Sequence, residues 1–154
     1  MQIFQRQLKT IVETGDPGHI IVKAHMYDTY HEMEITLTIE TCSRVIKAAW
    51  GRVLRSPYDL CPKTEARLQN LIGAKVAKGV HRIVAAGVGG SEGCTHFYEL
   101  VMDSLRAAVQ ALNHLEWANI PPGEERRAFL RRAMAGECYV YSHPELEPRL
   151  LVEE

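Results

Sequence analysis

From His19 to Asp28 apolar and polar residues alternate, with Ile20, Val22, Ala24 and Met26 on one parity. From His31 to Glu40 the same rhythm collects Met33, Ile35, Leu37 and Ile39. A period of two sends successive side chains to opposite faces, so each stretch predicts a half-buried β-strand. With Thr29 and Tyr30 as a two-residue hairpin loop, position 28 faces 31, 26 faces 33, 24 faces 35, 22 faces 37 and 20 faces 39. Every apolar residue then meets an apolar residue, and a slip of one would turn one strand's whole apolar set outward. Repeating the step with Thr41 and Cys42 as the next turn sets Leu37 opposite Ile46, Ile35 opposite Ala48, Met33 opposite Trp50 and His31 opposite Arg52. Ile3 to Val12, with Phe4, Leu8 and Val12 on one face, reads as a preceding strand, closed by the turn Gly15-Asp16-Pro17-Gly18.

Beyond the strands the period lengthens. Leu68, Leu71, Ile72 and Val76 recur at helical spacing behind Pro62, predicting a helix over Lys63 to Val76. His81 to Val84 reads as a short strand or a lead-in turn. Phe97, Leu100, Val101, Leu105, Ala108, Val109 and Leu112 form the apolar stripe of a core helix from Thr95 to His114. A charged helix over Glu124 to Ala135 and a closing edge strand over Gly136 to Tyr141 complete the pattern. The fold class expected is α+β, an antiparallel β-meander of three to four strands packed against two long helices and a shorter C-terminal helix. It is read as a single domain, 1–154, with 143–154 as a mobile tail.

Composition narrows the choice of partner. A chain of 154 residues with 46% hydrophobic residues can bury a core without staples, and a formal charge of -1 offers no field for nucleic acid or anionic lipid. No apolar run reaches the roughly 18 residues of a membrane span. Met1 to Thr10 lacks the layout of a signal peptide, so a cytoplasmic location is expected. In that compartment Cys42, Cys61, Cys94 and Cys138 are thiols or ligands rather than disulfides. Arg126, Arg127, Arg131 and Arg132 read as an exposed face balanced by Glu124 and Glu125, without the aromatic residues of a nucleic-acid platform.

The chemistry gathers at element ends. Asp28 and His31 fall on the buried-face parity at one end of the sheet, and the register sets Arg52 beside them. Burying such groups unpaired is costly, so they pair with one another, hold a ligand, or stand in water at an exposed strand end. Cys61 precedes Pro62 at a helix start, where the helix N-terminus favours a thiolate. The loop from Gly89 to Cys94 opens the core helix, on which His96 and Glu99, three apart, share a face with Asp103. That face lies opposite the apolar stripe, as a solvated face would. The glycine spacing fits neither a dinucleotide fingerprint nor a Walker loop, so the glycines are expected to permit unusual backbone angles or a close approach.

The residues that carry a family resemblance are Asp28, His31-Glu32-Met33, Pro57 with Cys61, Leu71-Ile72-Gly73, and Gly89-Gly90 through Gly93-Cys94-Thr95-His96-Phe97 with Glu99-Leu100. On these, over residues 18 to 142, the chain resembles the bacterial family catalogued as domain of unknown function 2889 (DUF2889). The resemblance implies no activity, but points to His31, Cys61, Cys94, His96 and Glu99. In architecture the chain is similar to iron-sulfur scaffold and sulfur-acceptor proteins, which implies convergence of Asp28 and His31 with Cys61 and Cys94. The reading favoured is a small enzyme with zinc or iron held by His31, Cys61 and Cys94, with His96, Asp28 and Glu99 as catalytic groups and Arg52 binding a small anionic substrate. A sulfur or iron-sulfur carrier and a non-catalytic ligand-binding or oligomeric module are the alternatives, the last leaving an uncovered sheet face for a homo-oligomer.

Overall fold

The computed structural model describes residues 1–143 and 145, so the tail expected to be mobile lies almost wholly outside the described residues. Two compact units divide the chain, Met1–Val109 and Gln110–Glu154.

The first unit is built on a four-stranded antiparallel meander in the order β1 (Arg6–Thr14), β2 (His19–Asp28), β3 (Glu32–Glu40) and β4 (Ile46–Arg55). The β2–β3 register is the one the alternation predicts: Met26 pairs with Met33, Ala24 with Ile35, Val22 with Leu37 and Ile20 with Ile39. These eight residues are buried, and burial of each large member contributes on the order of 1.5–3 kcal/mol. β1 follows the same parity, Arg6 lying opposite Asp28 and Thr10 opposite Ala24.

The β3–β4 register differs from the expectation. Ile39 pairs with Ile46, Thr36 with Trp50, Glu34 with Arg52 and Met33 with Val53, with shifts between Glu32 and Met33 and between Thr38 and Ile39. The connection is no two-residue turn: Arg44 adopts a φ of 57°, and Thr41 N–H donates to the carbonyl of Gly18. Such irregularities turn side chains to the other face. Trp50 is left 48% exposed, and Gly51 points inward, where an added Cβ would stand 2.5 Å from Leu68 Cδ1. Arg52 is exposed opposite Glu34, not beside His31.

The segment expected as an α-helix over Lys63 to Val76 is wound as a 3-10 helix over Cys61–Leu71. It ends where the backbone leaves for the sheet: Gly73 N–H donates to Ile46 O, Ile46 N–H to Ala74 O and Val76 N–H to Arg44 O. Leu68 and Leu71 are buried, whereas Ile72 is exposed. Glu65 Oε1 accepts from Val53 N–H at 2.8 Å and Gln69 Nε2 donates to Ala49 O at 2.6 Å, so this segment covers the free edge of β4.

His81 to Val84, where the pattern suggested a short strand or a lead-in turn, lie within helix α1 (Val80–Val88). Its buried Val84 and Val88 stand four apart on one face, and its terminal carbonyl at Gly87 accepts from Asn70 Nδ2 and Arg67 Nε. Helix α2 (Thr95–Ala118) begins where predicted and buries Phe97, Leu100, Val101, Leu105 and Ala108.

In the second unit, α3 (Glu124–Met134) carries Glu124 and Glu125 in its first turn and Arg131 and Arg132 in its last, as the helix dipole favours. Glu124 pairs with Arg127 and Arg131, while Arg126 is buried, donates to Ile120 O at 2.7 Å and lies over the Trp117 ring. The edge strand expected over Gly136 to Tyr141 is instead a short helix, α4 (Tyr139–Ser142). No helix among the described residues is long and apolar enough to cross a membrane.

Candidate functional site

The hairpin joining β2 to β3 builds the site. Asp28 ends β2 with no exposed surface, and its Oδ1 accepts the backbone N–H groups of Tyr30 at 2.8 Å and His31 at 2.7 Å. This is the local bonding that lets an Asp shape a tight turn. The same oxygen meets His31 Nδ1 at 3.1 Å, and Oδ2 accepts from Arg6 Nη2 at 3.0 Å and Nε at 3.3 Å. Burial alone would raise the carboxyl pKa, but the backbone donors of Tyr30 and His31, with Arg6 and the His31 ring, outweigh it and hold the group well below the usual carboxylate range. An ionised carboxylate only accepts, so Nδ1 of His31 carries the proton of this bond, which leaves Nε2 as the ring nitrogen open to another partner.

The turn is gripped from outside by Arg55. Its guanidinium donates to the carbonyls of Asp28 at 2.6 Å, Thr29 at 3.0 Å and His31 at 3.2 Å, and it lies over the Tyr27 ring. Arg6 does the equivalent on the inner side, its third nitrogen, Nη1, reaching Glu99 on α2. Thr10 donates to Asp103 at 2.6 Å. The helix face read as solvated therefore meets β1.

The start of α2 supplies the remaining groups. Cys94 N–H donates to Val88 O at 2.8 Å, folding the loop back onto the end of α1. A Cβ on Gly93 would lie 2.1 Å from Val88 O and 2.4 Å from Gly89 O, so the loop closes this way only with glycine there. His96, half-buried, rests against His31 with ring centroids 3.9 Å apart. Cys94 Sγ stands 3.8 Å from His96 Nδ1. Burial lowers the His96 pKa, reinforced by the neighbouring His31 and Arg6, so this ring favours its neutral form.

Donor atoms of Asp28, His31 and His96 lie within 4.8 Å of one another, and this is the one such group of three among the described residues. Cys94 borders it through His96. Cys61, partly exposed at the start of the 3-10 helix, is not among the residues gathered there, and Glu99 reaches the cluster through Arg6. Arg52 stands apart, on the exposed face of β4. Two imidazoles, one oriented by a buried carboxylate, with a thiol alongside, can hold a borderline-soft metal ion or move protons.

Arg6 and Arg55 are the participants that sequence reasoning missed. The parity of β1, which sets Arg6 between Phe4 and Leu8 on the inward face, was the available signal for the first. Arg55 becomes visible only once the register of β4 is known.

A family model described as protein of unknown function (DUF2889) matches residues 4–110, which include every member of the cluster. No curated protein and no solved structure matches the chain.

Proposed function

The chain belongs to the DUF2889 family of proteins of unknown function, and we propose that in this member the hairpin and the start of α2 form a zinc or iron site of a small enzyme. His31 through Nε2 and His96 are the protein ligands. Asp28 is not a ligand: five N–H donors occupy its two oxygens, and it orients His31 as carboxylates orient metal-bound histidines. Cys94, which borders His96 but lies outside that group of three, would be the third ligand once its side chain swings in. Two tetrahedral zinc ligands, one sulfur and one nitrogen, stand about 3.5 Å apart given ordinary bond lengths. Cys94 Sγ and His96 Nδ1 stand 3.8 Å apart. Three protein ligands leave one position for water or substrate, the pattern of catalytic rather than structural zinc.

A divalent ion with two neutral ligands and one thiolate keeps a net positive charge, which suits a small anionic substrate, and lowers the pKa of bound water towards neutrality. The observation that carries this reading is the bond between His31 Nδ1 and the buried Asp28 carboxylate, which leaves the other ring nitrogen open to another partner beside His96.

The test is elemental analysis of protein purified without chelator or metal-binding tag, beside His31→Ala, His96→Ala and Cys94→Ser variants. Near-stoichiometric zinc or iron, lost in both histidine variants and weakened in Cys94→Ser, is expected. Metal absent from both aerobic and anaerobic preparations would overturn the proposal. So would metal retained in the histidine variants.

A further inference from the structure

The two edges of the sheet are managed differently. β4 is covered by the 3-10 segment, whose Glu65 and Gln69 bond its free backbone groups. β1 has β2 on one side and no strand on the other among the described residues. Thr29 N–H donates to Gln5 O and Gly15 N–H to His19 O, so the odd-numbered backbone groups of this strand face β2. The N–H and C=O groups of Arg6, Leu8, Thr10, Val12 and Thr14 consequently form an outward row.

Edges of this kind are usually blunted by proline, by clustered lysines or by brevity. β1 has nine residues, no proline and one lysine, and its inward charge, Arg6, is committed to Asp28 and Glu99. Leu8 and Ile11 are 45% and 42% exposed. A second copy of the same strand fits the edge. In the antiparallel arrangement centred on Ile11, Thr10 exchanges hydrogen bonds with Val12 of the second copy, Leu8 faces Thr14, and the two Ile11 side chains meet on the axis. Lys9 then stands opposite Glu13, twice. Lys9 forms no ion pair among the described residues, and Glu13, which holds Lys23 at 2.7 Å, has a second carboxylate oxygen to offer.

We propose that β1 is a homodimer interface, in which two copies join edge to edge about Ile11 into a continuous eight-stranded sheet. Charge complementarity between Lys9 and Glu13 selects this register, since centring the pair on Thr10 would set Lys9 against Ile11 and leave both charges unmatched. The interface is independent of the metal site, whose groups lie at the end of the hairpin and the start of α2.

The experiment is sedimentation equilibrium on the full chain, wild type against Ile11→Lys and Lys9→Glu. The exposed position of Ile11 lets the lysine be accepted without unfolding, which far-UV circular dichroism verifies. The wild type sediments as a dimer. Ile11→Lys, facing its own copy, raises the dissociation constant at least about 100-fold, and Lys9→Glu raises it about 10-fold. In an Ile11→Cys variant treated with oxidised glutathione, peptide mapping recovers a disulfide joining position 11 of two chains, because a pair on the axis is not hydrogen-bonded and its Cα atoms approach to about 4.5 Å. A wild type that stays monomeric at hundreds of micromolar overturns the proposal. A dimer indifferent to Ile11→Lys overturns it too.

Discussion

Asp28 and Glu40 occupy equivalent places in successive hairpins. Each is the last residue of its strand, and each accepts a hydrogen bond from the residue three further on, His31 in the first case and Ser43 in the second. Both have a lowered pKa, Glu40 through Ser43 and then Lys47. Only Asp28 stands beside two imidazoles. Glu40 keeps a third of its side chain in solvent, and its cation, Lys47, comes from the neighbouring strand at 3.3 Å. Asp28 is fully buried with His96 of α2 nearby, and its cation, Arg6, is itself tied to that helix through Glu99. A carboxylate at a strand end becomes chemically consequential when something excludes water from it and fixes what it touches.

That contrast can be broken by substitution. Asp28→Ala strands Arg6 and two backbone N–H groups, and should cost about 3–5 kcal/mol of unfolding free energy in a urea titration. Glu40→Ala should cost under about 1 kcal/mol, as surface pairs do. Equal costs would mean that burial does not separate the two hairpins. Next in size is Gly93→Ala, which forces the loop away from Val88 O and should cost about 1–3 kcal/mol while moving Cys94 and His96 off His31. A weaker metal affinity with the hairpin amide shifts unchanged would identify that displacement.

The smallest effect is the pH dependence of the metal-free protein. The His96 pKa is depressed below its ordinary value of 6.5, so the unfolded chain binds the proton first as pH falls. This contribution is complete above about pH 6.5 and is lost below it as pH falls through the folded value, and His96→Gln should flatten that part of a stability curve. Asp28 adds its share at lower pH: its contribution is complete above about pH 4 and is lost as pH falls through the depressed folded value. Glu40→Gln should leave the curve above pH 5 unchanged.

Why one hairpin was legible and the other was not follows from the side chains that carry the alternation. β2 and β3 present Ile, Val, Met and Leu on every inward position but Ala24 and Asp28, and a slip of one residue would turn one of the two sets outward. In β4 the inward positions are Ile46, Ala49, Gly51 and Val53, while Trp50 faces out, so the largest apolar residue argues for the wrong parity. Alanine and glycine carry too little hydrophobic signal to correct it, and the two register shifts leave no local trace. Arg52 was assigned to the site by that same error. The candidate site was half legible: Asp28 and His31 follow from the first hairpin, and His96 from its place at a helix start. Their meeting is a tertiary fact, and so is the absence of Cys61 from it, since no spacing within the chain states which end of the sheet the loop before α2 reaches.

Arg55 has a consequence for the order in which the molecule is made. The hairpin of Asp28 and His31 is local in sequence, yet three of its carbonyls are held by the last residue of β4, some two dozen positions further on. Its opposite side is held by Arg6, from the strand before. The Arg6 anchor needs only β1 paired with β2, whereas the Arg55 anchor waits until β4 has joined the sheet, so the last grip on this locally formed turn is a long-range event. The hairpin that carries His31 therefore gains its full set of backbone contacts only once β4 has joined the sheet.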